Sequence, residues 1–231
     1  MDADILQTNR KAKRSAPEDE PFRTGYATLF WLFMFGSVAG FVLEGLWCVL
    51  TDGRWESHTA TVWGPFCIIY GIGTVAAYLL SGLLKGRSLP VQFAAFTLSG
   101  AAVEFFGSLF QEACFGSVSW DYSAHLLNLG GRVSLKMALM WGALGVVFIR
   151  LAFPLVKRAL RHLQGRGSKL LCAAMTVFMA LNLAVTCAAL TRWHERGDTP
   201  SDSAVMRWID STYDDETMSE LFPNMVFTDW P

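Results

Sequence analysis

Charge is scarce in this chain. Asp, Glu, Lys and Arg make up 17% of its 231 residues, whereas 52% are hydrophobic and the mean hydropathy is +0.33. That composition excludes an ordinary soluble domain, because it holds more apolar surface than one aqueous core buries. No G-x-x-x-x-G-K-[ST] stretch occurs, so the chain supplies no P-loop ATPase. The formal net charge is -1, and no nucleic-acid partner is expected. His58, His125 and His194 lack metal-ligand spacing, so neither a metal nor a cofactor is expected. No Ser-His-Asp or Cys-His order can be argued from the sequence. No small-residue cleavage site follows the first apolar run, which therefore reads as an uncleaved anchor.

Long apolar runs are what the chain does have. A helix needs about 20 mostly apolar residues to cross roughly 30 Å of hydrocarbon. Five runs satisfy this: Ala27 to Leu50, Trp63 to Leu84, Pro90 to Ala113, Ser134 to Leu155 and Lys169 to Thr191. The expected fold is all-α, a polytopic membrane bundle of about five transmembrane helices. Its parts would be a polar amino-terminal segment (1–26), a four-helix core (27–155), a basic loop (156–168), a fifth helix (169–191) and an acidic tail (192–231). The tail, with Trp208, Tyr213, Phe222, Phe227 and Trp230, reads most simply as disordered, or else as lying on the membrane surface or the loops.

Lys and Arg near span ends stay on the cytoplasmic side. Arg10, Lys11, Lys13, Arg14 and Arg23 precede the first span, Lys85 and Arg87 follow the second, and Lys157, Arg158, Arg161 and Arg166 follow the fourth. The expectation is a bacterial inner-membrane protein with its amino terminus cytoplasmic and its carboxyl terminus outside. Arg150 lies near the cytoplasmic end of the fourth span and can snorkel. Cys48, Cys67, Cys114, Cys172 and Cys187 read as small packing residues, with a disulfide between outer cysteines left open.

Two ionisable residues lie within spans and are functional candidates on that ground. Glu44 falls about 17 residues into the first span and Glu104 about 14 into the third, which puts both in the outer third of the bilayer. Their surroundings repeat, Gly40-Phe-Val-Leu-Glu44 against Gly100-Ala-Ala-Val-Glu104, as a parallel duplication of a two-helix unit would produce. Buried carboxylates must be paired, protonated or bound to a cation. Arg132, Lys136, Glu112 and Gln111 are candidate partners, and Tyr70 offers a hydroxyl. Trp63, Gly64, Pro65 and Gly71 read as the start of the second helix, with Pro65 in its first turn. The third loop, with Asp121 and Asn128, would sit over the glutamates as a lid. Glu44, Tyr70, Glu104, Glu112, Asp121, Asn128 and Arg132 thus form the candidate ligand site, with Glu44, Glu104 and Arg132 coupled.

The ordered set Glu44, Gly64-Pro-Phe-Cys-Ile-Ile-Tyr-Gly71, Glu104, Glu112, Trp120-Asp-Tyr-Ser123, Asn128-Leu-Gly-Gly-Arg132 and Trp141-Gly142 resembles the small bacterial multi-pass proteins named putative type IV ABC-transporter permeases. The resemblance covers about Phe30 to Pro154, leaving the fifth span outside. Ile68 stands where a Pro is usual, and Ser119 where a second Trp often precedes the Trp-Asp-Tyr-Ser run. The resemblance implies a permease-like subunit working with a separate ATPase subunit, although the short basic loops offer no evident coupling helix. The residues favour an outward-facing polar site for a small solute or cation. The alternatives are an intramembrane enzyme acting on a lipid headgroup with paired Glu as acid and base, and a sensor or assembly protein. Beyond the lipid bilayer, a homo-oligomeric partner is left open.

Overall fold

The computed structural model describes residues 24–163, 166–196 and 203–228. Arg10, Lys11, Lys13, Arg14, Arg23 and Trp230 lie outside the described residues. The helices described are α1 (Tyr26–Asp52), α2 (Ile68–Leu83), α3 (Leu89–Phe115), α4 (135–162), α5 (Arg166–Glu195), α6 (Ala204–Thr212) and α7 (Asp215–Leu221). Of these, α1, α3, α4 and the Gly167–Glu195 stretch of α5 are long and apolar enough to cross a membrane. An all-α membrane bundle is what the apolar runs require, because only a helix bonds its own backbone in lipid. Among the described residues there are also four two-residue strands: β1 (Ser117–Val118) pairs with β4 (Val226–Phe227), and β2 (Asn128–Leu129) with β3 (Val133–Ser134), both antiparallel.

Helices α1 to α4 form two antiparallel hairpins, α1–α2 and α3–α4, joined by the packing of α2 on α3. The hairpins repeat each other at the level of atoms. Gly71 lies against the Ser37 hydroxyl and the ring and carbonyl of Phe33; Gly142 lies against the Thr97 hydroxyl and the ring and carbonyl of Phe93. One turn away, Gly40 receives the Tyr70 side chain and Gly100 receives that of Trp141. A Cβ on any of these glycines would drive the paired helices apart, which is how small residues permit close packing where lipid offers no hydrophobic drive. The duplication is therefore present in the packing, even though few residue identities survive between the halves.

The second expected span is corrected. Trp63 to Cys67 is not helical, and the helix begins at Ile68 and runs for only 16 residues. Pro65 consequently precedes the helix, and Gly64 takes a left-handed turn at φ 84° that a side chain would strain. The Cys67 amide donates to the Ser37 carbonyl, midway along α1, so the chain before α2 has turned back into the bundle. Irregular backbone at that depth needs partners that water cannot supply. Helix α5 supplies them. Asn182 Oδ1 accepts from the Trp63 amide at 3.1 Å, its Nδ2 donates to the Trp63 carbonyl at 2.7 Å, and Thr186 Oγ1 accepts from the Val62 amide at 3.0 Å. Asn182 is fully buried and Thr186 nearly so.

The basic stretch expected as a loop (156–168) is mostly helix. Helix α4 runs through a single π turn at Phe148–Ala152 and on to the end of its Phe153–His162 part, with Pro154 interrupting the regular ladder there. Leu160 is buried against α1 and α5, while Arg158 and Arg161 face outward. Arg150 is exposed and donates to Gln92 of α3 at 3.2 Å.

The tail is also corrected: α6, α7 and β4 are packed onto the bundle. Ile209, Tyr213, Met218 and Phe222 are buried against Val62, Ala189 and Leu190. Arg192 grips Asp210 through Nε and Nη2 at 2.9 and 2.8 Å, and Arg196 reaches Asp215 at 2.6 Å. Asn224 binds the ring of His58, which holds Cys48 Sγ at 3.2 Å, so the tail is latched to the end of α1 as well. All five cysteines are free. Disorder was the simpler reading because the tail's apolar residues find their partners only on distant segments.

Two outcomes follow. Asn182→Leu leaves the Trp63 amide without its partner and its carbonyl with the Thr61 hydroxyl alone, and should destabilise the detergent-solubilised protein by about 2 kcal/mol, with Thr186→Val costing about half as much. Thermal unfolding reads both, and an unchanged Tm would refute the clamp. In the tail, hydrogen bonds from Arg192 hold the Asp210 carboxyl below the ordinary aspartate range, with the charges of Arg192 and Arg196 adding to them. A depressed folded value stabilises above the unfolded value and is lost as the pH falls through the folded one. Protease resistance of the tail should therefore hold from neutrality to about pH 4 and collapse below it, and Asp210→Asn should weaken that dependence, the helix-capping Asp214 supplying the rest.

Candidate functional site

The repeat brings Glu44 and Glu104 to equivalent places, one turn beyond Gly40 and Gly100. They stand roughly 12 and 16 Å from the ends of α1 and α3 at 1.5 Å per residue. Each accepts a phenol. Tyr70 Oη donates to Glu44 Oε1 at 2.5 Å from α2, and Tyr122 Oη donates to Glu104 Oε1 at 2.9 Å from the loop between α3 and α4. The two sites adjoin through the contact between the Tyr70 and Trp141 rings. Glu104 is 4% exposed, and its Oε2 is buried without a well-formed hydrogen bond, although the Trp141 indole N–H approaches the carboxylate. The Trp141 indole stands beside Glu104 and tilts against the Tyr70 ring, with centroids 5.0 Å apart. Burial raises the Tyr122 phenol above its ordinary value, and the neighbouring Glu104 raises it further, so Tyr122 serves as a fixed donor.

Other predicted residues take different places. Arg132 forms an ion pair with Glu112 and donates to Ser108 Oγ at 3.1 Å. Ser108 lies one turn from Glu104, so the guanidinium serves a neighbouring site at the loop and not the two glutamates. Asp121 is exposed and builds a turn, accepting from the Ser123 amide at 2.8 Å and its hydroxyl at 2.6 Å; these bonds hold its carboxyl below the ordinary range. Asn128 bridges the same loop, donating to the Ser123 and His125 carbonyls and accepting from the Gly131 amide. Both shape the loop that aims Tyr122. Gln111 binds Ser119. Trp63, Gly64 and Pro65 form the irregular chain before α2, and only Gly71 of that set is helical.

Two side chains at the glutamates escaped the sequence reading. Tyr122 lies within the Trp-Asp-Tyr-Ser run, where interfacial roles mask a buried one. Trp141 carried a signal, since it occupies in the second hairpin the place Tyr70 holds in the first.

A cavity of about 160 Å³ lies between the hairpins, walled by Tyr70 and Trp141 and extending from them toward the start of α1. Equivalent residues of the two halves line it: Gly40 with Gly100, Tyr70 with Trp141, Thr74 with Gly145. The two sides of the cavity differ. Helix α2 packs along α3, whereas α1 meets α4 chiefly at its Phe153–His162 part. On that side the cavity is bordered by the exposed Ala39, Leu43 and Val147.

Neither the curated proteins nor the solved structures contain a match to this chain. The model of the family described as Putative ABC-transporter type IV matches residues 31–187. The match takes in most of α5, which the sequence resemblance had left outside, and it reaches Asn182 and Thr186. The chain is a membrane protein of transporter type and belongs to the Putative ABC-transporter type IV family.

Proposed function

We propose that this protein is the solute-handling membrane subunit of a transporter in a bacterial inner membrane, and that it holds a small cation between Glu44 and Glu104. The carrying observation is the buried Oε2 of Glu104, which lacks a well-formed hydrogen bond and lies across the Tyr70–Trp141 contact from a second carboxylate. Among the described residues neither glutamate has an ion pair, and Arg132 is committed to Glu112. Two carboxylates in low dielectric are stable together only with a proton or a cation between them. The tyrosines hold their orientation and leave one oxygen open, a preorganised acceptor for a positive charge.

Lys85, Arg87, Lys157, Arg158 and Arg161 gather at the end of the bundle away from the glutamates, which supports a cytoplasmic basic end and an outward-facing site. The chain before α2 supports transport as well, because broken helices beside a polar site at depth are the recurring build of transporter sites. A separate ATPase subunit would dock at the basic end, where the exposed Arg158 and Arg161 extend α4 as a helix.

In lipid nanodiscs, methylammonium should bind in a Glu104-dependent way. Glu104→Gln should weaken it about tenfold or more, and Tyr122→Phe by a few-fold, without loss of the folded protein. The reading is sunk if neither methylammonium, guanidinium nor sodium shows any Glu104-dependent binding.

A further inference from the structure

Resting on the cation site just proposed, we infer that its ligand is an organic ammonium ion bearing one apolar group the size of a phenyl ring, and that it enters sideways from the bilayer between α1 and α4. The charge would sit at Glu44 and Glu104, and the apolar group in the cavity between the hairpins. Three features of the molecule lead there.

The first is position. Leu43 lines the cavity and is followed in the chain by Glu44, while Tyr70 and Trp141 belong to both places: Tyr70 bonds Glu44, Trp141 stands beside Glu104, and both rings wall the cavity. A bare inorganic cation would use the carboxylates and leave the cavity without purpose. An ammonium with a substituent uses both, and the Tyr70 and Trp141 rings at the cavity wall attract its positive charge.

The second is size. The cavity holds about 160 Å³, and an apolar protein cavity of about 150 Å³ accepts benzene. Its walls are mainly apolar or small, with Phe96 and Phe148 alongside Tyr70 and Trp141. One phenyl ring or a short branched alkyl group fits, whereas a lipid acyl chain does not.

The third is access. The repeat would make the α1–α4 contact a copy of the α2–α3 contact, yet the first is open at the cavity where the second is closed. Leu43 and Val147 are 45% and 49% exposed there, on a face that meets hydrocarbon. A solute reaching this mouth must already partition into the bilayer. An amphiphilic amine does so, and a strongly hydrated ion does not.

The test compares benzylammonium, methylammonium and benzyl alcohol by calorimetric titration of the full-length protein in nanodiscs, with empty nanodiscs as the partitioning control. Benzylammonium should bind about tenfold or more tightly than methylammonium, because the ring leaves water for the cavity. Benzyl alcohol should bind about tenfold or more weakly than benzylammonium. Ala39→Leu, at the exposed mouth, should weaken benzylammonium about tenfold and leave methylammonium within about twofold; Glu104→Gln should weaken both cations. Equal binding of the two cations, or of benzylammonium and benzyl alcohol, overturns the inference. If methylammonium still needs Glu104 in that case, the cation site stands without it; if no cation needs Glu104, both fall.

Discussion

Much of this structure depends on one constraint, that backbone polar groups inside a bilayer must find partners within the protein. The chain between α1 and α2 violates helical self-sufficiency at Val62 and Trp63, and α5 answers with Asn182 and Thr186. Because these side chains complete the backbone, α2 can begin deep in the bundle and stay short. A deep start brings Tyr70 level with Glu44. Were α2 helical from Trp63, the space its irregular start occupies beside α5 would be filled by another turn of helix.

The second organising feature is the duplicated hairpin. Glycines at equivalent places let each pair of helices close until a Ser or Thr hydroxyl and a Phe carbonyl rest on the facing backbone. The same closeness presents one aromatic residue per hairpin, Tyr70 and Trp141, to the middle of the molecule. The halves then diverge in chemistry. Glu44 takes its phenol from the partner helix, whereas Glu104 takes its phenol from the loop above and faces an indole across the hairpin. This asymmetry leaves Oε2 of Glu104 without a hydrogen bond.

The packed tail adds a cover at the chain-terminal end. It ties α5 to the ends of α1 and α3 through Arg192–Asp210, Asn224–His58 and the pairing of β4 with β1. The family match ends at residue 187, so this cover lies beyond it. Its attachment joins the apolar cluster around Ile209, Tyr213, Met218 and Phe222 to the Arg192–Asp210 pair.

Sequence by itself determined the class and the acidic pair. Long apolar runs with few charges admit only membrane helices, and Glu44 and Glu104 stand out because a carboxylate in lipid is costly and each follows a Gly by one turn. Depth also followed, since 1.5 Å per residue converts position into height. The partners of each side chain were decided only in three dimensions. Arg132 is opposite in charge to the glutamates and near them in depth, yet its distance from them depends on how the loop folds, and the loop gave it to Glu112. Tyr122 looked interfacial because a Tyr in a turn usually is, and only the loop's bonds through Asp121 and Asn128 turn it downward. Apolar composition set the length of the second run, but its helix start was set by Asn182 and Thr186, more than a hundred residues away. Local pattern reports what a residue costs in lipid; which neighbour offsets that cost is a property of the packed bundle.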